Sequence, residues 1–138
     1  MDTEKLNAPL IRAWSWPILL VVTVFTLSGA SHITTPDLGL QFSKDKLGHF
    51  LVFGLLATSI LRIPFFRKQG LKGAILAALI TIIYGGLDEW RQSFTPERSV
   101  ELADWIADAL GAVVAVTIYQ SWRPYRKLLE WRILRKKG

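Results

Sequence analysis

Three apolar runs in this chain are too short to cross a bilayer unless each takes ionisable residues in with it. Charge-free stretches cover 47–61, 73–87 and 109–122, which is 15, 15 and 14 residues. A hydrocarbon core of roughly 30 Å needs about 20 helical residues. Extending the first run draws in Asp45, Lys46 and His49, the second Asp88, Glu89 and Gln92, and the third Asp104 and Asp108. Such groups are costly in hydrocarbon and face a bundle interior or a wet cavity, so they mark the place to look for function.

With a fourth apolar block near the N-terminus, the pattern predicts an all-α polytopic membrane protein, a bundle of four transmembrane helices over roughly 13–31, 45–65, 71–91 and 101–122. The 138 residues are expected to form a single domain. Hydrophobic residues make up 51% and the mean hydropathy is +0.30, values that do not decide the class alone; the arrangement in blocks does. The sequence has no cysteine, which excludes a disulfide framework and a thiolate site.

The net charge of +6 would suit nucleic acid, but its placement reads as topology. Lys5, Arg12, Arg62, Arg67, Lys68 and Lys72 fall on one side of the expected bundle. Arg123, Arg126, Lys127, Arg132, Arg135, Lys136 and Lys137 of the tail join them, making thirteen. Only Lys44, Lys46, Arg91 and Arg98, four residues, fall on the other. The positive-inside rule then places both termini in the cytoplasm, with no nucleic-acid partner. The first block, ending in Ser28-Gly29-Ala30, has the outline of a signal-peptide core. Asp2, Glu4 and the length of the leading segment favour a retained helix. Trp14, Trp16 and Trp105 fit interfacial belts. Segment 32–44 reads as an outer loop, Ser43 and Ser99 as helix caps, and Arg67-Lys68-Gln69-Gly70 and Thr95-Pro96-Glu97-Arg98 as turns. Tyr125, Leu128, Leu129 and Trp131 among basic residues make tail 123–138 an amphipathic, surface-lying candidate.

This topology gathers the unusual residues just beneath the outer surface. Asp45 and His49 share a face at i,i+4, and so do Asp104 and Asp108. Small residues show where two of these faces point. One stripe runs Asp104, Asp108, Gly111, Ala112, Ala115; the other runs Ala74, Ala77, Ala78, Thr81, Gly85, Asp88 or Glu89, and Gln92. Small side chains allow close helix contact in membranes, so these acids should point inward. Segment 45–65 offers no such stripe.

Asp45-Lys46-x-x-His49-Phe50, Asp88-Glu89-x-x-Gln92-x-Phe94-x-Pro96-x-Arg98 and Asp104-x-x-x-Asp108-x-x-Gly111 together resemble the VanZ-like family of bacterial membrane proteins. The resemblance implies a cell-envelope context and an effect on susceptibility to teicoplanin-type glycopeptides. It does not imply a reaction. The family usually carries Asn where this chain has Asp108.

The residues leave three chemistries open. His49 with the carboxylates suits a divalent cation. Closely spaced carboxylates and an imidazole also suit acid–base catalysis on a lipid-linked phosphate or glycan, with His49, Glu89, Asp88 and Asp104 as catalytic candidates. Asp45, Lys46, Gln92, Arg98 and Asp108 would bind, the cations meeting phosphate. The third is a binding or structural module, in which Arg98 and Lys46 neutralise acids and His49 and Gln92 complete hydrogen bonds. His49 and Glu89 are the principal expected pair. The expected partners are the bilayer and a lipid-linked wall precursor or glycopeptide.

Overall fold

The computed structural model describes residues 3–29, 44–98 and 100–130, and among these every regular element is helical. The helices are α1 (Thr3–Ser28), α2 (Lys44–Leu61), α3 (Pro64–Arg67), α4 (Leu71–Gln92), α5 (Leu102–Ser121) and α6 (Arg123–Glu130). The expected caps Ser43 and Ser99, the outer loop up to residue 43 and the tail from Trp131 lie outside the described residues.

Among the described residues three helices are long and apolar enough to cross a membrane: α1 over Leu10–Ser28, α4 and α5. The expectation of four is corrected here. The second block forms an 18-residue helix that opens on Lys44, Asp45 and Lys46 and stops at Leu61 rather than at 65. Proline disfavours helical backbone in the residue before it, and Ile63 is accordingly extended, at φ −60° and ψ 130°. Pro64 then opens the short α3.

α2 is the hub. Phe53, Leu56, Ala57, Ile60 and Leu61 are buried against α4 and α5. The expected α4 stripe, Ala74 to Gln92, lies on that helix's buried face, as do Asp104, Asp108, Gly111 and Ala112 on α5, where Ala115 is half-buried and Val116 and Tyr119 complete the face. α2 has its own small contact, Gly54. A Cβ there would lie 3.1 Å from the Gly111 carbonyl oxygen, and a Cβ on Gly111 would lie only 2.1 Å from that of Phe50. This crossing is nearly backbone on backbone, and it sets the first turns of α2 and α5 side by side. α1 contributes buried Val24 and Ser28. At the opposite end, Arg126 of α6 donates through Nε to the Tyr119 carbonyl at 3.0 Å.

Candidate functional site: a carboxylate–imidazole cluster at one end of the bundle

The polar residues gather where α2 and α5 begin and α4 ends. His49 lies one turn into α2, and its Nδ1 is 2.8 Å from Oδ1 of Asp108 on α5. Asp108 is 1% exposed. Gly85 on α4 makes room for it, since a Cβ there would sit 2.8 Å from Asp108 Oδ2. With Asp108 ionised the carboxylate can only accept, which puts a proton on Nδ1, while Nε2 makes no hydrogen bond among the described residues. Nε2 lies 4.0 Å from Asp104 Oδ2, beyond hydrogen-bond length but a span that one bridging water or ion can fill. Phe53 stacks on the ring with centroids 6.1 Å apart.

Lys46 supplies the nearest positive charge. Its ammonium donates to Glu101 at 2.7 Å and to Asp104 at 3.0 Å. The Lys46 ammonium holds the Glu101 carboxyl below its usual range. Asp45 stands exposed at the rim, and Asp45, His49 and Asp104 each offer a ligand atom within 4.8 Å of the others. These three could hold a divalent cation, with Asp108 behind His49 as the carboxylate that orients a metal-bound imidazole.

A second set centres on Asp88, which accepts from the Ser28 hydroxyl at 2.6 Å and the Gln92 amide at 3.1 Å. Arg91 meets the same carboxylate at 3.3 Å, bonds Ser28 and the Phe25 carbonyl, and lies 4.0 Å over the Phe25 ring. Arg98 donates to the Gln92 side-chain oxygen at 3.2 Å and to the Leu27 carbonyl at 3.4 Å, and Arg91 is a cation at Asp88. Sequence reading missed Ser28, which ties α1 to the site. A hydroxyl closing a long apolar block was the available signal.

Glu89, the other principal candidate, makes no hydrogen bond to His49 among the described residues. Glu89 is 5% exposed, and among the described residues neither carboxylate oxygen has a hydrogen-bond partner. The Glu101 backbone amide approaches it without completing a bond. Glu89 instead floors an open groove of about 500 Å³ between the end of α4 and the start of α5.

A family model described as VanZ/LLP1 matches residues 9–123, which is most of the chain. No curated protein and no solved structure matches it.

Proposed function

The chain belongs to the VanZ/LLP1 family, and from that membership we propose that it acts in the bacterial inner membrane to alter susceptibility to teicoplanin-type glycopeptides. In this reading the candidate spans α1, α4 and α5 cross the membrane and α2 packs among them. The polar cluster faces outward, and segments 3–12, 62–72 and 123–138 face the cytoplasm. The thirteen-to-four division of basic residues supports that orientation. Reporter fusions after Lys68 and Gly138 should read as inside, and one after Thr95 as outside; the reverse would put the cluster on the wrong face.

The observation that carries the reading is the line Asp108–His49–Asp104. A buried carboxylate fixes the imidazole, and the free Nε2 looks toward a second acid across 4.0 Å. That arrangement suits a group that takes a proton from, or returns it to, a headgroup arriving from the outer leaflet. The substrate class is a lipid-linked phosphate or glycan. The test is His49→Gln, which keeps hydrogen bonding but cannot ionise as imidazole does. Resistance should vanish while the yield and melting temperature of purified protein stay near wild type. Phenotype lost only in proportion to folded protein would identify a binding or structural module instead.

A second reading rests on Asp45, His49 and Asp104, whose ligand atoms are close enough for one divalent cation. Lys46 competes with it, because its ammonium already neutralises Asp104 at 3.0 Å.

A further inference from the structure

The groove between α4 and α5 is distinct from the His49 cluster in both shape and chemistry. Gly86, Glu89, Trp90 and Ser93 recur at i, i+3, i+4 and i+7, so one face of α4 forms a wall and the floor. Leu102 and Trp105, in the first turn of α5, form the other wall. Trp105 is fixed there, because its indole N–H donates to the Ile82 carbonyl at 2.9 Å. The lining is mostly apolar, and its two charged residues are both acids, Glu89 within and Glu101 at the rim. Glu101 is already taken by Lys46 at 2.7 Å. Glu89 forms no ion pair, and its two oxygens are buried with no completed hydrogen bond among the described residues, although the Glu101 amide N–H approaches them.

A buried carboxyl without a partner is costly, and a ligand that supplies the missing hydrogens recovers that cost. Depth narrows the class of ligand. Glu89 lies one turn from the end of a candidate span and Trp105 one turn from the start of another, the level at which lipid headgroups meet hydrocarbon. A volume of about 500 Å³ holds a headgroup and the first methylenes. With Glu101 already paired to Lys46 and no lysine or arginine in the lining, the Glu89 carboxyl is what selects a cation. Acceptor oxygens that need hydrogens select N–H donors, which a primary ammonium has and a quaternary one lacks. The flanking indoles add cation–π attraction that either kind of ammonium would feel.

We propose that the α4–α5 groove binds the primary ammonium headgroup of an aminophospholipid of the phosphatidylethanolamine type, with Glu89 as its counter-ion. This goes beyond the proposed function and does not need it, since no step at His49 is involved.

The test is lipid retention by the full chain in native mass spectrometry, after purification in detergent and incubation with equal phosphatidylethanolamine, phosphatidylcholine and phosphatidylglycerol. Wild type should retain phosphatidylethanolamine about tenfold over either competitor, the difference that one charge-assisted contact makes. Glu89→Gln should abolish that preference. Gly86→Leu is the second variant, because a Cβ at Gly86 meets Trp105 only at 3.4 Å, so the longer side chain enters the groove without striking backbone. It should lower retention of all three lipids while the protein elutes as wild type does. Equal retention of the three by wild type overturns the proposal. So do a preference that survives Glu89→Gln, retention of phosphatidylcholine as strong as of phosphatidylethanolamine, and absence of retained lipid.

Discussion

Asp108 on α5 holds His49 on α2 through Nδ1 at 2.8 Å, so a carboxylate 1% exposed sets the orientation of a partly exposed imidazole. The bond lies about one turn above the Gly54–Gly111 crossing, where α2 and α5 meet nearly backbone on backbone. What Asp108 must supply is an acceptor for the Nδ1 proton, and Asn supplies one as well. Asp108→Asn should therefore cost no more than about 1 kcal/mol in detergent unfolding and keep the susceptibility phenotype, in line with the Asn usual in the resembling family. Asp108→Leu fills the space but strands a buried N–H, and should lose about 1–3 kcal/mol together with the phenotype. If Asn proves as damaging as Leu, the negative charge of Asp108 is what matters.

The glycines give a graded series. A Cβ on Gly111 would meet the Phe50 backbone at 2.1 Å, so Gly111→Ala must push two helices apart. Gly54→Ala meets its neighbours at 3.1 Å and needs far less movement. Overpacking costs typically about 1–3 kcal/mol, with Gly111→Ala expected at or beyond the upper end and Gly54→Ala at the lower. Gly85→Ala differs in kind, because its Cβ would lie 2.8 Å from a movable side-chain atom, Asp108 Oδ2. It should fold and yet lose phenotype by displacing Asp108 from His49. Folded yield and phenotype, measured on all three, separate packing from alignment; a Gly85→Ala variant with full phenotype would show that the Asp108–His49 alignment is dispensable.

The buried faces of α4 and α5 were legible because small residues at helical spacing have few uses other than close packing. The acids that continue those stripes were located by the same logic. α2 was harder. Its small buried residues, Gly54, Ala57 and Thr58, form a short run interleaved with large apolar ones, and its buried face also carries Phe53 and Leu56, which sequence alone cannot distinguish from lipid-facing residues. Partner choice was less legible still. Arg91 and Arg98 both lie near Asp88 in sequence, and only the position of α1, with Ser28 and Phe25 in reach, makes Arg91 the one that meets it. Pairing across helices depends on rotation about each axis, and a spacing rule fixes that only to within a side chain.

Arg91 is also the more informative arginine to remove. Asp88 is 4% exposed and would keep only Ser28 and Gln92 as donors. Breaking a fully buried pair costs roughly 3–5 kcal/mol. The Arg91 side chain is 31% exposed, so water recovers part of that cost, and Arg91→Ala should destabilise by about 1–3 kcal/mol. Adding Asp88→Asn removes the stranded charge, and the double variant should be less destabilised than the sum of the two single ones. Strict additivity in thermal unfolding would mean that the two side chains do not interact.

The last prediction separates proton chemistry from metal chemistry at His49. Asp45, His49 and Asp104 have the spacing for a divalent cation, but Lys46 already places an ammonium 3.0 Å from Asp104. A cation that entered would have to displace that ammonium or bind beside it against like charge. Wild-type melting temperature in detergent should therefore be indifferent to chelator and to millimolar manganese or zinc. Lys46→Ala removes the competing charge and leaves the acids facing one another, so the variant should melt lower in chelator and recover when metal is added. A ligand at 100 times its Kd stabilises by about 2.7 kcal/mol, which thermal unfolding resolves readily. Asp104→Asn in the Lys46→Ala background should abolish the recovery, because it removes the carboxylate that lies opposite His49 Nε2. Metal-dependent stabilisation of the wild-type protein would reverse the order of the two readings, making Lys46 a neighbour of an ion site and Asp108 the residue that orients a metal-bound imidazole.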